Sequence, residues 1–251
     1  MKPIRITAVS YLNTLPLIYG ITHSGLLPEF SLELRVPSAC AEQLLNGQTD
    51  LSLVPVGALP LFPTYNIVGN YCIGAIGNVR TVLLLSNQPV EELHTIYLDT
   101  DSRTSVSLIK VLAKHLWKVN ILWKSLNGKD SSTLSKGEGV VLIGDKTFGV
   151  SSKFKFSYDL AGAWYSLTHL PFVFAAWVAV NPLPGVFEKQ FESALKWGTQ
   201  HIHDSVRLAQ NHSISKEELI SYLSRDISFL LDDEKKKGMN LFLKYLIEKD
   251  F

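Results

Sequence analysis

The segment that decides the fold prediction reads Ser10-Tyr11-Leu12-Asn13-Thr14-Leu15-Pro16-Leu17. It follows the alternating residues 4–9, which predict a strand at one edge of a sheet. Pro16 favours the first turn of a helix, so Asn13 and its neighbours would lie at or before a helix N-terminus. The free N–H groups of such an end suit an anion, although the same residues also fit an ordinary strand-to-helix connection.

The chain continues by alternating strand and helix patterns. Strand patterns at 31–36 and 50–56 flank a short helix pattern, which predicts a β-α-β-α-β unit with parallel strands. Residues 71–76 and 80–86 also predict strands, with Gly77-Asn78 as a hairpin-like turn between them. The pattern starts afresh at Thr95, and three helix patterns close the chain; the second of these begins with a capping box formed by Ser215 and Glu218.

Two strand-rich units joined by two crossings predict an α/β fold of two lobes, with a ligand cleft between them. We expect lobe 1 to comprise residues 1–87 and 178–251, which include the C-terminal helices, and lobe 2 to be inserted as residues 88–177. The segment from Asp159 to Trp164 is predicted as a loop or short strand. Three clusters would face the cleft: the opening loop, the helix start at 102–105, and the turn at 144–145.

Composition excludes several classes of function. The 251 residues carry 24 Lys and Arg against 23 Asp and Glu, so neither nucleic acid nor an anionic membrane is expected as a partner. The longest apolar run, 170–180, is shorter than the roughly 20 residues that span a bilayer. No secretory signal pattern and only two cysteines, Cys40 and Cys72, favour a cytoplasmic protein. No metal-ligand spacing or phosphate loop is present, so we expect neither a metal nor another cofactor.

Several motifs occur in order along nearly the whole chain and together resemble the chorismate dehydratase family. They are the opening segment 10–17, Asp-Ser-Arg-Thr-Ser at 101–105, Ile-Gly-Asp-Lys at 143–146, the stretch from Asp159 through Leu-Pro-Phe-Val-Phe-Ala-Ala-Trp ending at 177, and Tyr-Leu-Ser-Arg-Asp-Ile at 222–227. In two places the chain departs from that family. Thr81 stands where the family often has a serine, and Ala161-Gly162-Ala163 stands where it often has acidic residues.

The resemblance implies a fold like that of the type 2 periplasmic binding proteins. It also implies loss of water from chorismate to give 3-[(1-carboxyvinyl)oxy]benzoate, on the futalosine route to menaquinone, by a monomer or homodimer without a cofactor. Two alternatives stay open. One is the sister enzyme 1,4-dihydroxy-6-naphthoate synthase, and the other is a non-catalytic small-anion binding protein of the same fold.

With the resemblance in hand, we expect the chorismate carboxylates to bind hydroxyls and amides at the 102–105 helix start. Asn13 is the candidate for the reacting centre, where its amide can donate to the leaving oxygen; a structural loop amide is the alternative. Asp145 is the best titratable candidate for the base, although it fits a turn-capping role equally well, and a substrate carboxylate is a second source of the base. The expected substrate-binding residues are Ser10, Thr81, Ser102, Arg103, Thr104 and Ser105. For three of them a plainer role is open: Ser102 as a simple N-cap, Arg103 in solvent, and Thr81 in strand packing.

Overall fold

The computed structural model describes residues 2–127, 133–209 and 214–249. The strands in these ranges are β1 (Ile4–Val9), β2 (Phe30–Arg35), β3 (Leu51–Pro55), β4 (Asn66–Ala75), β5 (Val82–Ser86), β6 (Thr95–Leu98), β7 (Leu122–Ser125), β8 (Glu138–Ile143), β9 (Phe156–Asp159), β10 (Phe172–Ala179) and β11 (Ser228–Leu230). The α-helices are α1 (Leu15–His23), α2 (Pro37–Leu45), α3 (Arg103–Leu112), α4 (Leu160–Thr168), α5 (Gly185–Gln200), α6 (Ile202–Ser205), α7 (Lys216–Ser221) and α8 (Asp233–Ile247). The predicted α/β class is confirmed.

The first sheet holds six strands in the order β11-β4-β10-β3-β1-β2. β1 pairs in parallel with both β2 and β3, which confirms the predicted β-α-β-α-β unit. β10 then inserts antiparallel between β3 and β4. Because β1 and β3 run side by side, their carboxyl ends meet at one edge, and the segment that opens the chain leaves from that edge.

The second sheet holds five strands in the order β7-β6-β8-β5-β9. β6 pairs in parallel with β7 and β8, while β5 pairs antiparallel with β8 and β9. α3 follows β6 directly, so its N-terminus lies at the carboxyl edge of this sheet. Each sheet therefore presents a strand-to-helix connection, as ligand-binding α/β sheets do.

The predicted hairpin around Gly77-Asn78 is wrong. β4 belongs to the first sheet and β5 to the second, so residues 76–81 form a crossover between the sheets rather than a turn within one. The Asp159 carboxylate accepts hydrogen bonds from the N–H groups of Val79 (2.9 Å) and Arg80 (2.7 Å). These contacts with a residue far along the chain hold the crossover open, which a local turn signal does not foresee.

The sheets also differ from the expected limits of the lobes. β5 was expected within lobe 1 and pairs in the second sheet, whereas the first half of β10 was expected within lobe 2 and pairs in the first sheet. Strand pairing explains the difference, because the residues at 82–86 and 172–177 are equally apolar and only their neighbours decide their sheet. The expected loop or strand after Asp159 is instead α4, which the Asp159 carboxylate caps at Ala161 N (3.0 Å) and Gly162 N (3.1 Å).

The opening helix is fixed by close contact between backbones. A Cβ added at Gly20 of α1 would lie 2.1 Å from Ala194 O in α5, and one at Gly198 of α5 would lie 2.1 Å from Pro16 O. Only glycine permits this approach, since any larger residue would separate the helices. α1 is thus held against α5, and the loop that precedes α1 has a fixed position over the sheet edge.

Candidate functional site

A cavity lies where the two sheets and the crossover meet. It encloses ≈ 490 Å³ of space, part of it open to solvent. Its wall is largely apolar and includes Val9 from the first sheet, Val79 from the crossover and Ile143 from the second. The polar side chains in the wall are Tyr11, Asn13, Thr81, Ser102 and Ser105. An apolar pocket with a few convergent polar groups is the usual form of a small-molecule site.

The start of α3 forms one polar side of the cavity. Ser102 is the N-cap, and its Oγ accepts from the Ser105 N–H at 3.3 Å and from the Ser105 hydroxyl at 3.2 Å. Both serines are buried and line the cavity. The N-terminus of a helix carries partial positive charge and free N–H groups, so this side of the cavity is suited to a carboxylate. The simple N-cap role expected for Ser102 and its place in the cavity wall therefore occur together.

Three expected binding residues lie outside the cavity wall. The Arg103 guanidinium is half exposed, 49%, and reaches Glu42 at 4.0 Å instead. Thr104 Oγ1 accepts from Gly57 N (2.9 Å) and donates to Phe174 O (3.1 Å), so this hydroxyl fastens α3 to the first sheet. Ser10 is exposed. Since successive residues of a helix point about 100° apart, only Ser102 and Ser105 face the cavity.

Asn13 and Thr81 form the opposite polar side. Asn13 lies in the single 3₁₀ turn Leu12–Thr14 before α1, and its Oδ1 is buried without a hydrogen-bond partner among the described residues. Thr81 Oγ1 lies 2.7 Å from the hydroxyl of Tyr222. Burial raises the pKa of Tyr222 far above its usual value, while hydrogen bonds with Thr81 and Asn13 oppose that rise. The phenol is therefore neutral at physiological pH.

Tyr222 was expected only as a buried residue of a C-terminal helix. It begins a single π-helical turn, Tyr222–Asp226, directly after α7. Such turns frequently mark functional sites, so a helix pattern that runs slightly out of phase is the kind of signal that sequence reasoning missed here.

Tyr11 is a second residue of the site that the sequence did not single out. Its ring lines the cavity and packs on Gly144, where an added Cβ would lie 2.9 Å from the ring carbons. Its hydroxyl is buried and has no hydrogen-bond partner within the described ranges. Burial raises the pKa of Tyr11, and the charge of Asp101 adds to the rise. The residue next to Asn13 but one thus brings a neutral donor into the same space.

Asp145 connects the two sheets but does not line the cavity. Its two carboxylate oxygens accept from Leu12 N at 3.2 and 3.3 Å, so the residue after β8 holds the turn that carries Asn13. The turn-capping role predicted for Asp145 is present, and it spans the two sheets. Its negative charge also contributes to the raised pKa values of Tyr11 and Tyr222.

A small charge cluster lies beside Tyr11. Lys146 Nζ donates to Asp99 (2.9 Å) and Asp101 (2.7 Å). Burial favours a lower pKa for Lys146, but the two hydrogen bonds outweigh it and raise the pKa. Lys146 is therefore engaged with two carboxylates as a cation. Across 2–127, 133–209 and 214–249, no three His, Cys, Asp or Glu side chains are grouped so that they could hold a metal ion. No helix in these ranges is both long and apolar enough to cross a membrane.

The cavity thus offers neutral hydroxyl and amide groups with one helix N-terminus. Such groups bind and orient an anion through hydrogen bonds, and they orient a hydroxyl group in the same way. Positioning of this kind can lower the barrier of a reaction whose products are intrinsically favoured.

Comparison with known proteins bears on both fold and family. The alkanesulfonate-binding protein of Xanthomonas axonopodis pv. citri, solved with bound MOPS, matches with a TM-score of 0.70 at 16% identity, covering 100% of this chain and 94% of that chain. A Candida albicans protein described as having the generic periplasmic binding protein fold matches with a TM-score of 0.64 at 14% identity, covering 99% and 91% of the two chains. The predicted periplasmic-binding-protein-like fold is confirmed.

Sequence similarity reaches along the whole chain. The chorismate dehydratase of Thermus thermophilus is 24% identical over 266 residues, which cover 98% of this chain and 96% of that protein. A family model described as menaquinone biosynthesis matches residues 4–248. That match takes in both sheets, the crossover and the C-terminal helices, including every residue of the cavity wall. The chain therefore belongs to the menaquinone biosynthesis family.

Proposed function

We propose that the protein is a chorismate dehydratase, a lyase that removes water from chorismate to give 3-[(1-carboxyvinyl)oxy]benzoate. The observation that carries the proposal is Asn13 Oδ1, buried in the cavity without a partner among the described residues. Leaving such an atom unpaired is costly, and a ligand hydroxyl supplies the missing donor. The similarity to the Thermus thermophilus chorismate dehydratase supports the same assignment.

The polar groups of the cavity match the chemistry of chorismate. One carboxylate fits at the start of α3, between Ser102 and Ser105. The C4 hydroxyl then lies toward Asn13 and Thr81 on the opposite side. The C3–H bond and the C4–O bond break, a C3–C4 double bond forms, and the ring becomes aromatic. Because aromatisation drives the reaction, holding the dianion and orienting the leaving hydroxyl account for most of what the protein supplies.

The proton from C3 needs an acceptor. The Asp145 carboxylate lies outside the cavity wall and accepts from Leu12 N, which supports removal of the proton by a carboxylate of the substrate itself. That proton and the hydroxide lost from C4 together make the released water, so the step balances without an oxidant, reductant or cofactor.

Asp145→Asn tests the source of the base. The amide oxygen of Asn still accepts from Leu12 N, so the turn is kept while the charge is lost. We expect kcat to stay within about threefold of wild type, since removing a general base costs about 100-fold or more. A folded Asp145→Asn enzyme that binds chorismate but does not turn it over would identify Asp145 as the base.

Incubation of the purified protein with chorismate tests the proposed activity. We expect loss of chorismate and appearance of the aromatic enol ether, followed by liquid chromatography and mass spectrometry. A non-catalytic binding protein would leave chorismate intact while its thermal midpoint rises. The sister synthase would ignore chorismate and consume a cyclic futalosine derivative. Either result would refute the dehydratase.

The proposal also concerns the whole chain. The cavity lies between the sheets, so we infer two lobes that hold the substrate between them, with the crossovers near residues 76–81 and 160–171 as their limits. Cys40 and Cys72 are both buried free thiols, which supports the cytoplasm as the location.

A further inference from the structure

The turn Tyr222–Asp226 grips two adjacent residues of the crossover. The Tyr222 hydroxyl lies 2.7 Å from Thr81 Oγ1, and Asp226 Oδ2 lies 3.3 Å from Arg80 Nε. Glu218, from the helix before this turn, adds a third contact at 3.1 Å from the Arg80 guanidinium. A segment 141 residues further along the chain thus fixes the side chains of consecutive residues at the cavity.

The crossover needs this support because its backbone is unusual. Arg80 has φ 66°, in the left-handed region that residues with a Cβ seldom adopt. The Asp159 carboxylate binds the N–H groups on either side of this position, and the ion pairs hold the guanidinium outward. With Arg80 held in this way, Thr81 turns into the cavity wall with its hydroxyl directed at Tyr222.

The pairing leaves the Thr81 hydrogen free for the ligand. A hydroxyl has one donor hydrogen and two acceptor lone pairs. A phenol is more acidic than an aliphatic alcohol, so Tyr222 is the better donor of the two and Thr81 the better acceptor. The Tyr222 hydroxyl is buried and neutral. The Thr81 hydrogen, not used in this bond, then points toward the oxygen that the substrate loses.

We propose that Tyr222 is a positioning residue that sets the direction of the Thr81 hydroxyl and thereby aids departure of the substrate hydroxyl. The inference rests on the proposed dehydratase activity. It explains why a tyrosine, rather than a phenylalanine, occupies a place that is otherwise apolar: the Tyr222 ring packs edge-on against Phe148 at 5.4 Å, and only its hydroxyl makes a polar contact with the crossover.

A double-mutant cycle of Tyr222→Phe and Thr81→Val tests the inference. Both changes keep the shape of the side chain. We expect Tyr222→Phe alone to lower kcat roughly 10-fold to 100-fold, with little change in KM, because a hydroxyl that turns away is lost mainly from the transition state. In the Thr81→Val background, the same change should lower kcat less than about twofold.

Controls separate positioning from packing. Thr81→Ser keeps the hydroxyl and should restore the full effect of Tyr222→Phe. Tyr97→Phe removes a comparable hydroxyl, which donates to Glu138 at 2.9 Å in the second sheet, and should leave kcat unchanged. Multiplicative effects of the two changes, or a Tyr222→Phe enzyme with wild-type kcat, would overturn the inference while the dehydratase stands. A wild-type protein that does not convert chorismate overturns both.

A second probe covers the case in which Tyr222→Phe does not fold. Placing 3-fluorotyrosine at position 222 keeps the ring and makes the hydroxyl a stronger donor. We expect kcat to change when Thr81 is present and to be unchanged when it is Val. The same change in both proteins, or no change in either, would show that Tyr222 does not act through Thr81.

Discussion

The Tyr11 hydroxyl and Asn13 Oδ1 are both buried at the cavity, and neither has a partner among the described residues. Each unsatisfied atom of this kind costs about 1–3 kcal/mol. The free protein therefore carries a local instability that a ligand with suitable polar groups removes. Asn13 could be singled out from the sequence because it lies in a polar loop after the first strand, whereas nothing in the sequence distinguished Tyr11 from a packing residue.

Replacement of Asn13 by leucine should abolish turnover without unfolding the protein. Leucine has a similar volume and lacks the amide, so we expect kcat to fall about 100-fold or more. The thermal midpoint should move by less than about 3 °C, since no hydrogen bond made by Oδ1 in the free protein is lost. The matched control is Asn181→Leu at an exposed loop position, for which activity should be kept. Full activity of Asn13→Leu would remove Asn13 from the reacting centre.

Replacement of Tyr11 by phenylalanine should have opposite effects on stability and on binding. Removing the unpaired buried hydroxyl should stabilise the free protein by about 1 kcal/mol and raise its thermal midpoint by about 2–4 °C. Affinity for chorismate should fall because the ligand loses a donor. Calorimetry of the free and ligand-bound protein measures both. Tyr165→Phe, at a residue that is 40% exposed, should change neither quantity; a less stable Tyr11→Phe would show that the hydroxyl is satisfied in the free protein.

At the scale of elements, short polar contacts fix the segments that carry the site. Asp159 is the clearest case, because one carboxylate caps α4 and also accepts from two N–H groups of the crossover. The crossover carries Val79 and Thr81 into the cavity wall. A contact outside the cavity thus determines the position of residues within it.

Asp159→Ala should destabilise the protein more than the loss of an ordinary cap. Four buried or half-buried N–H groups lose their acceptor, so we expect the free energy of unfolding to fall by about 3 kcal/mol. Ser215→Ala is the matched control: Ser215 caps α7 through Glu218 N at 3.1 Å and joins no other element, so its loss should cost about 1 kcal/mol. Urea denaturation compares them. Equal losses would mean that the crossover does not depend on Asp159.

At the scale of the whole molecule, the two sheets are joined most tightly where α3 meets the segment after β3. Gly57 N donates to Thr104 Oγ1, and a Cβ added at Gly57 would lie 2.7 Å from the Thr104 Cα. This contact lies next to the N-terminus of α3, the part of the second sheet that faces the ligand. The relative position of the two polar sides of the cavity therefore depends on a glycine.

Gly57→Ala should push α3 away from the first sheet. The added methyl group meets backbone atoms that have little room to move, so we expect a loss of about 1–3 kcal/mol in the free energy of unfolding. KM should rise because Ser102 and Ser105 shift together. Gly185→Ala provides the control: no atom lies within 4 Å of the added Cβ, and stability should be equal or slightly higher. A wild-type KM in Gly57→Ala would show that the spacing of the two sides is not critical.

The sequence by itself determined the elements whose signals are local. The alternation at 4–9 and 31–36 predicted β1 and β2, and the caps at Ser102 and Ser215 were each confirmed by an N–H three residues later. Such signals act within one turn of chain, so they can be interpreted without knowing the rest of the fold. Asn13 and the serines at the start of α3 were found in the same way, as polar residues that follow a strand.

The tertiary structure alone decided which of these pieces meet. It brought Tyr222 to Thr81, Asp145 to Leu12 and Asp159 to Arg80, it carried Thr104 away from the cavity, and it divided an expected hairpin between two sheets. These contacts join residues tens to more than a hundred positions apart. No local pattern encodes them, because their energy depends on the packing of both sheets at once and exists only when the whole chain is folded.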